Sequence, residues 1–241
     1  MSKDLFRKIL MNSKIMILPQ DICIILTATI HVKEHKVGVF QKDSNDRLEV
    51  YLKATKQWLD TTDFRIVLVE NSGYEWKELT TYQKKYTDRF QICTFDELYE
   101  TEAGYLKQDQ SKGCSELFSI NYAFCKSELA KTSKYVIKVT SRFFIPDLQH
   151  FLASIPLEDC HALRQNEGGR CEMVGCRIDR FCDIFYVYAL DEHGNRMGHV
   201  ENVYKFRMER EVKKGNQILV CDLLPIEPTI RGGVNGSYTN I

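Results

Sequence analysis

The stretch that decides the fold of this chain is Tyr135-Val-Ile-Lys-Val-Thr-Ser-Arg142. Its apolar residues predict a buried strand, which ends by presenting Lys138, Thr140 and Arg142. A lysine inside an apolar strand needs a partner, because an unpaired buried charge is costly. Two cations and a hydroxyl at a strand end suit a phosphate-bearing ligand. The other interpretation is that Lys138 extends to solvent and Arg142 pairs with a surface carboxylate.

Outward from this strand, strands alternate with helices. Apolar runs predict further strands at residues 21–30, 64–69 and 90–95, and helical spacing predicts helices at 47–60 and 115–132. Such alternation is typical of an α/β fold with a mostly parallel sheet. After residue 145 shorter elements follow, and residues 226–238 form a tail rich in Pro and Gly with no helical signal. We expect one domain with a shared core.

Composition excludes several classes of protein. The chain has 241 residues, is 44% hydrophobic, and balances 33 basic against 33 acidic residues, which argues against a nucleic-acid-binding surface. Its nine cysteines lack a CxxC pair and predict reduced thiols. The longest apolar stretch, 15–30, is broken by Pro19-Gln-Asp21 and is too short to span a membrane. We therefore expect a cytoplasmic protein, in its own cell or in a host.

Polar residues follow the predicted strands. Thr27 and Thr29 close the first strand, and Glu70-Asn71 closes the second. Because ligands bind at the carboxyl ends of parallel strands, these residues predict a binding edge. A carboxylate beside an amide suits a ribose or a base edge, although Asn-Ser-Gly after Glu70 is also ordinary turn chemistry.

A helix start is a further candidate anion site, at Lys112-Gly-Cys-Ser-Glu116. Either Ser115 caps the helix, or the loop closes over a nucleotide with Glu116 bonded to a ribose hydroxyl or a base. The segment contains neither a P-loop nor the GxGxxG fingerprint, and neither motif occurs elsewhere in the chain.

Two candidates lie in the second half of the chain. Glu201, in His199-Val-Glu201, is either a general base or an exposed acid favoured by the helix dipole. Its rivals are Asp179, Asp183 and Asp222. The tail Arg231-Gly-Gly-Val-Asn-Gly-Ser237 either wraps a phosphate with its backbone amides or is a frayed terminus.

Taken in order, four features resemble small viral and bacterial glycosyltransferases of the GT-A type, including capsular-polysaccharide-like enzymes. The resemblance covers roughly residues 21–238. The features are Ile-Leu-Thr27-Ala-Thr29; Val-Leu-Val-Glu70-Asn71-Ser72; Lys112-Gly-x-x-Glu116 with Ile-Lys138-Val-Thr140-Ser-Arg142-Phe; and His199-Val-Glu201 with Leu-Pro225 and Pro228-x-Ile-x-Gly-Gly-x-x-Gly236-Ser.

The resemblance implies a GT-A-like, Rossmann-like central sheet flanked by helices, with a smaller mixed C-terminal part. Residues 21–145 would bind the nucleotide, and 146–241 would bind the acceptor and supply a closing loop. The reaction would move a hexose or pentose from a UDP- or GDP-sugar to a hydroxyl of a glycan acceptor, with Glu201 as base. The donor-binding residues would be Thr27, Thr29, Glu70, Asn71, Lys112, Gly113, Glu116, Lys138, Thr140, Arg142, Arg231, Gly232, Asn235 and Ser237.

The sequence departs from the commoner GT-A pattern at one place. Lys138-Val-Thr-Ser-Arg142 stands where a metal-binding Asp-x-Asp is usual. Because Lys and Arg do not ligate a divalent cation, we expect them to replace the metal at the diphosphate, although Glu70 or Asp222 remain possible ligands. The alternatives are a nucleotidyltransferase acting on sugar phosphates, and a non-catalytic module that binds nucleotides or glycans.

Overall fold

The central feature is a seven-stranded sheet. A computed structural model describes residues 16–165, 170–233 and 235–241. The strands follow the order β3-β2-β1-β4-β6-β5-β7 across the sheet. They are β1 Ile22–Ala28, β2 Arg65–Glu70, β3 Phe90–Thr94, β4 Tyr135–Thr140, β5 Ala162–Gln165, β6 Met173–Arg177 and β7 Ile218–Cys221.

Strand directions agree with the predicted class. β1 is parallel to both β2 and β4, β2 is parallel to β3, and β5 is parallel to β7. β6 runs antiparallel to both β4 and β5. A separate antiparallel hairpin, β8 Pro225–Ile230 with β9 Ser237–Asn240, forms from the tail. The structure thus confirms a mostly parallel α/β sheet with a small C-terminal addition.

Helices cover both faces of the sheet. They are α1 Ser44–Thr61, α2 Thr80–Lys85, α3 Lys112–Lys126, α4 Glu128–Lys131, α5 Leu148–Ala153, α6 Phe181–Ile184 and α7 Val200–Lys213. Asp43 caps α1, because its carboxylate accepts from the backbone N–H groups of Asn45 and Asp46 at 2.8 and 3.0 Å. In the part of the chain that the structure describes, no helix is both long and apolar enough to cross a membrane.

One expected helix is corrected. The pattern predicts a single helix over 115–132 with Ser115 as its cap. Instead the helix begins at Lys112, and the Ser111 hydroxyl accepts from the Cys114 N–H at 3.4 Å. A second short helix begins after Ser127, whose side chain accepts from the Ala130 N–H. Ser127 ends one helix and caps the next, but the apolar spacing continues across it, so the pattern alone does not show the break.

The core lies on both faces of the sheet, which explains the unbroken apolar run of β1. Every residue of β1 is buried. Ile24 and Leu26 pack in one cluster with Trp58 of α1, while Cys23 and Ile25 pack in a second cluster with helices α3 and α7. A strand covered on both faces loses the polar alternation of a half-exposed strand. The carboxyl ends of β1, β2 and β4 therefore meet at one polar edge.

Candidate functional site

A cavity of about 500 Å³ opens at this edge of the sheet. It lies where the ends of β1 and β4, the first turns of α3 and α7, and the segments 31–39 and 231–233 converge. Most of the residues predicted from the sequence line it: Thr27, Thr29, Asn71, Lys112, Gly113, Glu116, Thr140, Arg142, Glu201, Arg231 and Gly232. The structure therefore brings together residues from across the chain.

Three cations, Arg47, Lys112 and Arg142, form the positive side of the cavity and are called the cation cluster below. The Tyr51 hydroxyl accepts from Arg47 Nη2 at 2.6 Å and from Arg142 Nη2 at 3.4 Å. Among the described residues, no carboxylate lies within 4.0 Å of any of the three. Arg47 also donates to the carbonyls of Thr29 at 2.5 Å and Gln41 at 2.9 Å, so its acceptors are neutral oxygens. Three cations without a carboxylate beside them favour a polyanionic ligand.

The electrostatics of the cluster agree with this geometry. Burial lowers the pKa of Arg47, and the charge of Arg142 lowers it further. Partial burial lowers the pKa of Lys112, and Arg142 and Arg47 act in the same direction. Because neighbouring positive charges disfavour one another, an anion placed among them relieves the repulsion.

Two backbone segments form a roof over the cluster. Lys112 Nζ donates to the carbonyl of Gly38, and the N–H of Phe40 donates to the carbonyl of Gly232 at 2.8 Å. A Cβ placed on Gly232 would lie 2.3–2.6 Å from the guanidinium atoms of Arg142. A glycine is therefore required for the tail to approach this arginine so closely.

The prediction that Lys138 contacts a ligand is corrected. Its side chain is fully buried and does not line the cavity. Lys138 Nζ lies 2.7 Å from Glu116 Oε2 and donates to the carbonyl of Cys171 at 2.6 Å. Burial alone would lower the pKa of Lys138, but the Glu116 carboxylate outweighs it and the pKa is raised. Lys138 supports the cavity wall from below by holding Glu116.

Glu70 is also corrected. It is fully buried, and its carboxylate accepts from the backbone N–H groups of Ile30 at 3.0 Å and Tyr74 at 2.8 Å. Burial raises the pKa of Glu70. This residue fixes the turn after β2 and does not line the cavity, whereas its neighbour Asn71 does. Asn71 Oδ1 accepts from Thr29 Oγ1 at 2.6 Å, which fixes the position of both side chains.

Only part of the tail segment predicted to bind the donor, residues 231–237, lines the cavity. Arg231 and Gly232 line the cavity, but Asn235 and Ser237 do not. Residue 234 lies outside the described residues. Tyr238, which follows on β9, lines the cavity instead and lies under Arg231, with 4.4 Å from the guanidinium carbon to the ring centroid. The tail is thus a hairpin that carries an aromatic residue to the site.

Among the described residues, Glu201 and Glu172 face the cavity with no cation within 4.0 Å of their carboxylates. Glu201 lies in the first turn of α7, as predicted. Glu172 precedes β6, where its carbonyl accepts from the Thr140 N–H at 2.9 Å. Glu172 Oε2 is buried without a hydrogen-bond partner among the described residues. The rivals named from the sequence, Asp179, Asp183 and Asp222, do not line the cavity.

Sequence reasoning misses Arg47 and Glu172. A signal for Arg47 exists, because Arg47, Tyr51 and Trp58 recur at helical spacing and all three are buried on α1. A charged residue on the apolar face of a helix is a candidate for a site. Glu172 carries no comparable signal, since its position depends on the long-range pairing of β6 with β4.

Across residues 16–165, 170–233 and 235–241, no group of three or more His, Cys, Asp or Glu side chains is placed to hold a metal ion. Glu97 and Glu116, which line the cavity, are each engaged by a lysine, at 2.6 Å to Lys36 and 2.7 Å to Lys138.

Comparisons with known proteins give distant likenesses only. No family model and no curated protein matches the chain. A structure from Desulfovibrio desulfuricans G20, assigned as a nucleotide-diphospho-sugar transferase, is 16% identical, with a TM-score of 0.44 over 84% of this chain and 80% of that one. The 4-diphosphocytidyl-2C-methyl-D-erythritol synthase of Anaerococcus prevotii is 11% identical, with a TM-score of 0.43 over 89% of both chains.

A third similar structure is a glycosyltransferase from Streptococcus pneumoniae TIGR4, which is 7% identical. The TM-score is 0.43, and the match covers 83% of this chain but 44% of that one. Similarity at this level does not establish a function for this chain.

Proposed function

We propose that this chain is a GT-A-type glycosyltransferase that moves a sugar from a nucleoside-diphosphate sugar to a hydroxyl of a glycan. The observation that carries the proposal is the cation cluster of Arg47, Lys112 and Arg142, which faces the cavity without a carboxylate partner among the described residues. A diphosphate supplies the missing negative charge. Lys112 and Arg142, whose acceptors are neutral oxygens, can donate to it, while Arg47 adds positive charge behind them.

The polar edge beside the cluster suits the nucleoside of UDP or GDP. Thr29 and Asn71 are hydrogen-bonded to each other and line the cavity. The Asn71 amide and the Thr27 hydroxyl provide donors and acceptors for a ribose or a base edge. Thr140, at the end of β4, lies opposite Thr27 in the sheet register and also lines the cavity.

The reaction breaks the bond between the anomeric carbon and the diphosphate oxygen, and forms a bond from that carbon to an acceptor oxygen. Negative charge develops on the leaving diphosphate, so preorganised cations lower the barrier. In an inverting reaction the acceptor proton passes to a carboxylate. We assign this role to Glu201. Glu172 is the second candidate, because it also faces the cavity without a cation partner among the described residues.

We also propose that the cation cluster takes the place of a divalent metal at the diphosphate. Turnover should then persist in a chelator. Complete loss of turnover with recovery on addition of Mn²⁺ would contradict this part of the proposal. All nine cysteines are free thiols, and free thiols are typical of a reducing compartment. A cytoplasmic location is therefore part of the proposal.

The direct test is calorimetry with UDP and GDP. Lys112→Ala should weaken binding of the preferred nucleotide by about 1.5–3 kcal/mol, the range for a hydrogen bond to a charged group. The matched control is Lys205→Ala, an exposed lysine on α7 away from the cavity, which should bind as the wild type does. Equal affinities of the two variants would remove the phosphate role of the cluster.

The competing functions give different readouts. Release of sugar from a UDP- or GDP-sugar to water supports a glycosyltransferase. Release of pyrophosphate from a nucleoside triphosphate and a sugar phosphate would instead show a nucleotidyltransferase. Nucleotide binding with neither reaction, over a panel of donors, would show a binding module.

A further inference from the structure

An exposed group of tyrosines lies outside the cavity. Tyr105, Tyr186 and Tyr188 are 42%, 48% and 44% exposed and are called the tyrosine patch below. The ring centroids of Tyr105 and Tyr188 are 5.3 Å apart, and those of Tyr186 and Tyr188 are 5.6 Å apart. Three large rings that contact one another and still face solvent form an uncommon surface for a folded chain.

The backbone under the patch is firmly held. Arg207, which is buried, donates to the carbonyl of Tyr188 at 2.6 Å and to that of Ile184 at 2.9 Å. Asn121 of α3 donates to the carbonyl of Phe185 at 2.6 Å. Because these bonds fix the segment that carries Tyr186 and Tyr188, the rings are presented without a large ordering cost on binding.

The patch lies beside the cavity wall. Ala189, the residue after Tyr188, accepts from the Met197 N–H at 2.8 Å, and the residue after Met197, Gly198, lines the cavity. Tyr105 lies on the segment that reaches Gln110 at the cavity wall, and Tyr188 lies on the segment that reaches His199. Arg196 and Asp109 form an ion pair that ties these two segments together. The second segment leads directly to Glu201, the proposed base. The patch therefore neighbours the part of the cavity wall that carries the proposed base.

We propose that the tyrosine patch binds the acceptor glycan, an inference that rests on the proposed function. The faces of sugar rings carry C–H groups that pack on aromatic rings, while their rims carry hydroxyls. Tyrosine offers both an apolar ring and a polar tip at a wet surface. The three patch residues are uncharged, so the surface suits a chain of sugars better than a nucleotide, whose phosphates need cations.

The test measures binding of the full chain to an array of immobilised neutral and acidic oligosaccharides. Tyr188→Ala should reduce retention of the bound glycan by about tenfold, and Tyr188→Phe should keep most of it, because the ring face remains. The control is Tyr99→Ala, since Tyr99 is 82% exposed and contacts no other aromatic ring among the described residues. Tyr188→Ala should bind UDP and GDP as the wild type does.

The remaining outcomes distinguish failure of this inference from failure of the proposed function. Retention of no oligosaccharide, or equal retention by Tyr188→Ala and the wild type, shows that the patch does not bind a glycan. Sedimentation that shows wild-type dimers dissociated by Tyr188→Ala would assign the patch to contact between copies of this chain. Failure of UDP and GDP binding in the wild type, with glycan retention intact, refutes the donor site and leaves the patch assignment standing.

Discussion

Replacing Lys138 by methionine tests the buried ion pair. Lys138 is fully buried, 2.7 Å from Glu116, and methionine fills a similar volume without charge. The substitution leaves the Glu116 carboxylate without its cation, and breaking a buried pair in this way costs about 3–5 kcal/mol. This is a large part of a typical domain stability of about 5–15 kcal/mol. At about 2–4 °C per kcal/mol for a chain of this size, the Tm should fall by about 6–20 °C.

The double variant distinguishes two causes of destabilisation: loss of the attraction between Lys138 and Glu116, and burial of an unpaired Glu116 carboxylate. Lys138→Met with Glu116→Gln removes both charges, so its stability should return to within about 1 kcal/mol of the wild type. Urea unfolding at neutral pH measures all three proteins. The control is Lys134→Met, which breaks a partly exposed pair with Asp21 at 2.9 Å and should cost at most about 1 kcal/mol.

Two results would refute this reasoning. One is a Lys138→Met variant that unfolds at the same urea concentration as the wild type. The other is a double variant as unstable as the single one. In addition, folded Lys138→Met should bind nucleotide nearly as the wild type does, because its ammonium does not reach the cavity. A large loss of nucleotide affinity would show instead that Lys138 takes part in ligand binding.

Three further predictions concern other parts of the molecule. Gly113→Ala should destabilise the fold by about 1–3 kcal/mol in urea unfolding, because the new Cβ would lie 2.5 Å from the side chain of Val200. The control is Gly104→Ala, whose Cβ meets no atom within 4 Å and which should be nearly neutral. Gly232→Ala should displace the guanidinium of Arg142. Calorimetry should then show nucleotide binding weakened about tenfold, with little change in Tm. A hydrogen bond from the Tyr86 hydroxyl is the main cause that holds the pKa of Asp60 below its ordinary value. The ionised Asp60 therefore stabilises the fold fully above pH about 4, and this contribution is lost as the pH falls further. Asp60→Asn should therefore cost about 1 kcal/mol near pH 6 and less near pH 3, as measured by urea unfolding at the two pH values.

The fold was largely predictable because the strands are local patterns. The apolar run before Thr140 predicts β4 as the structure has it, Tyr135–Thr140. Residues buried on both faces keep their apolar character whatever surrounds them. The direction of β6 and its place beside β4 were not predictable, because pairing depends on contacts between distant segments.

The site was predictable in outline and less so in its contacts. Alternation along β4 places Lys138 and Thr140 on one face, but the pattern does not say how deep each lies. Two residues along a strand span about 6.6 Å, so Thr140 reaches the rim while Lys138 lies beneath it. The partner of Lys138 is Glu116, on a helix 22 residues earlier in the chain. Only the packing of α3 on the sheet brings them together.

The two backbone segments over the cation cluster use the same donors that a phosphate would need. Lys112 holds the segment at Gly38, and Arg142 donates to the carbonyl of Ile230 at 3.4 Å. A carbonyl is a neutral acceptor, and a phosphate oxygen is a stronger one for the same donors. An anion that takes these donors therefore frees the two segments from the cations that hold them. The carbonyls of Gly38 and Ile230 and the oxygens of a phosphate would therefore compete for the same donors.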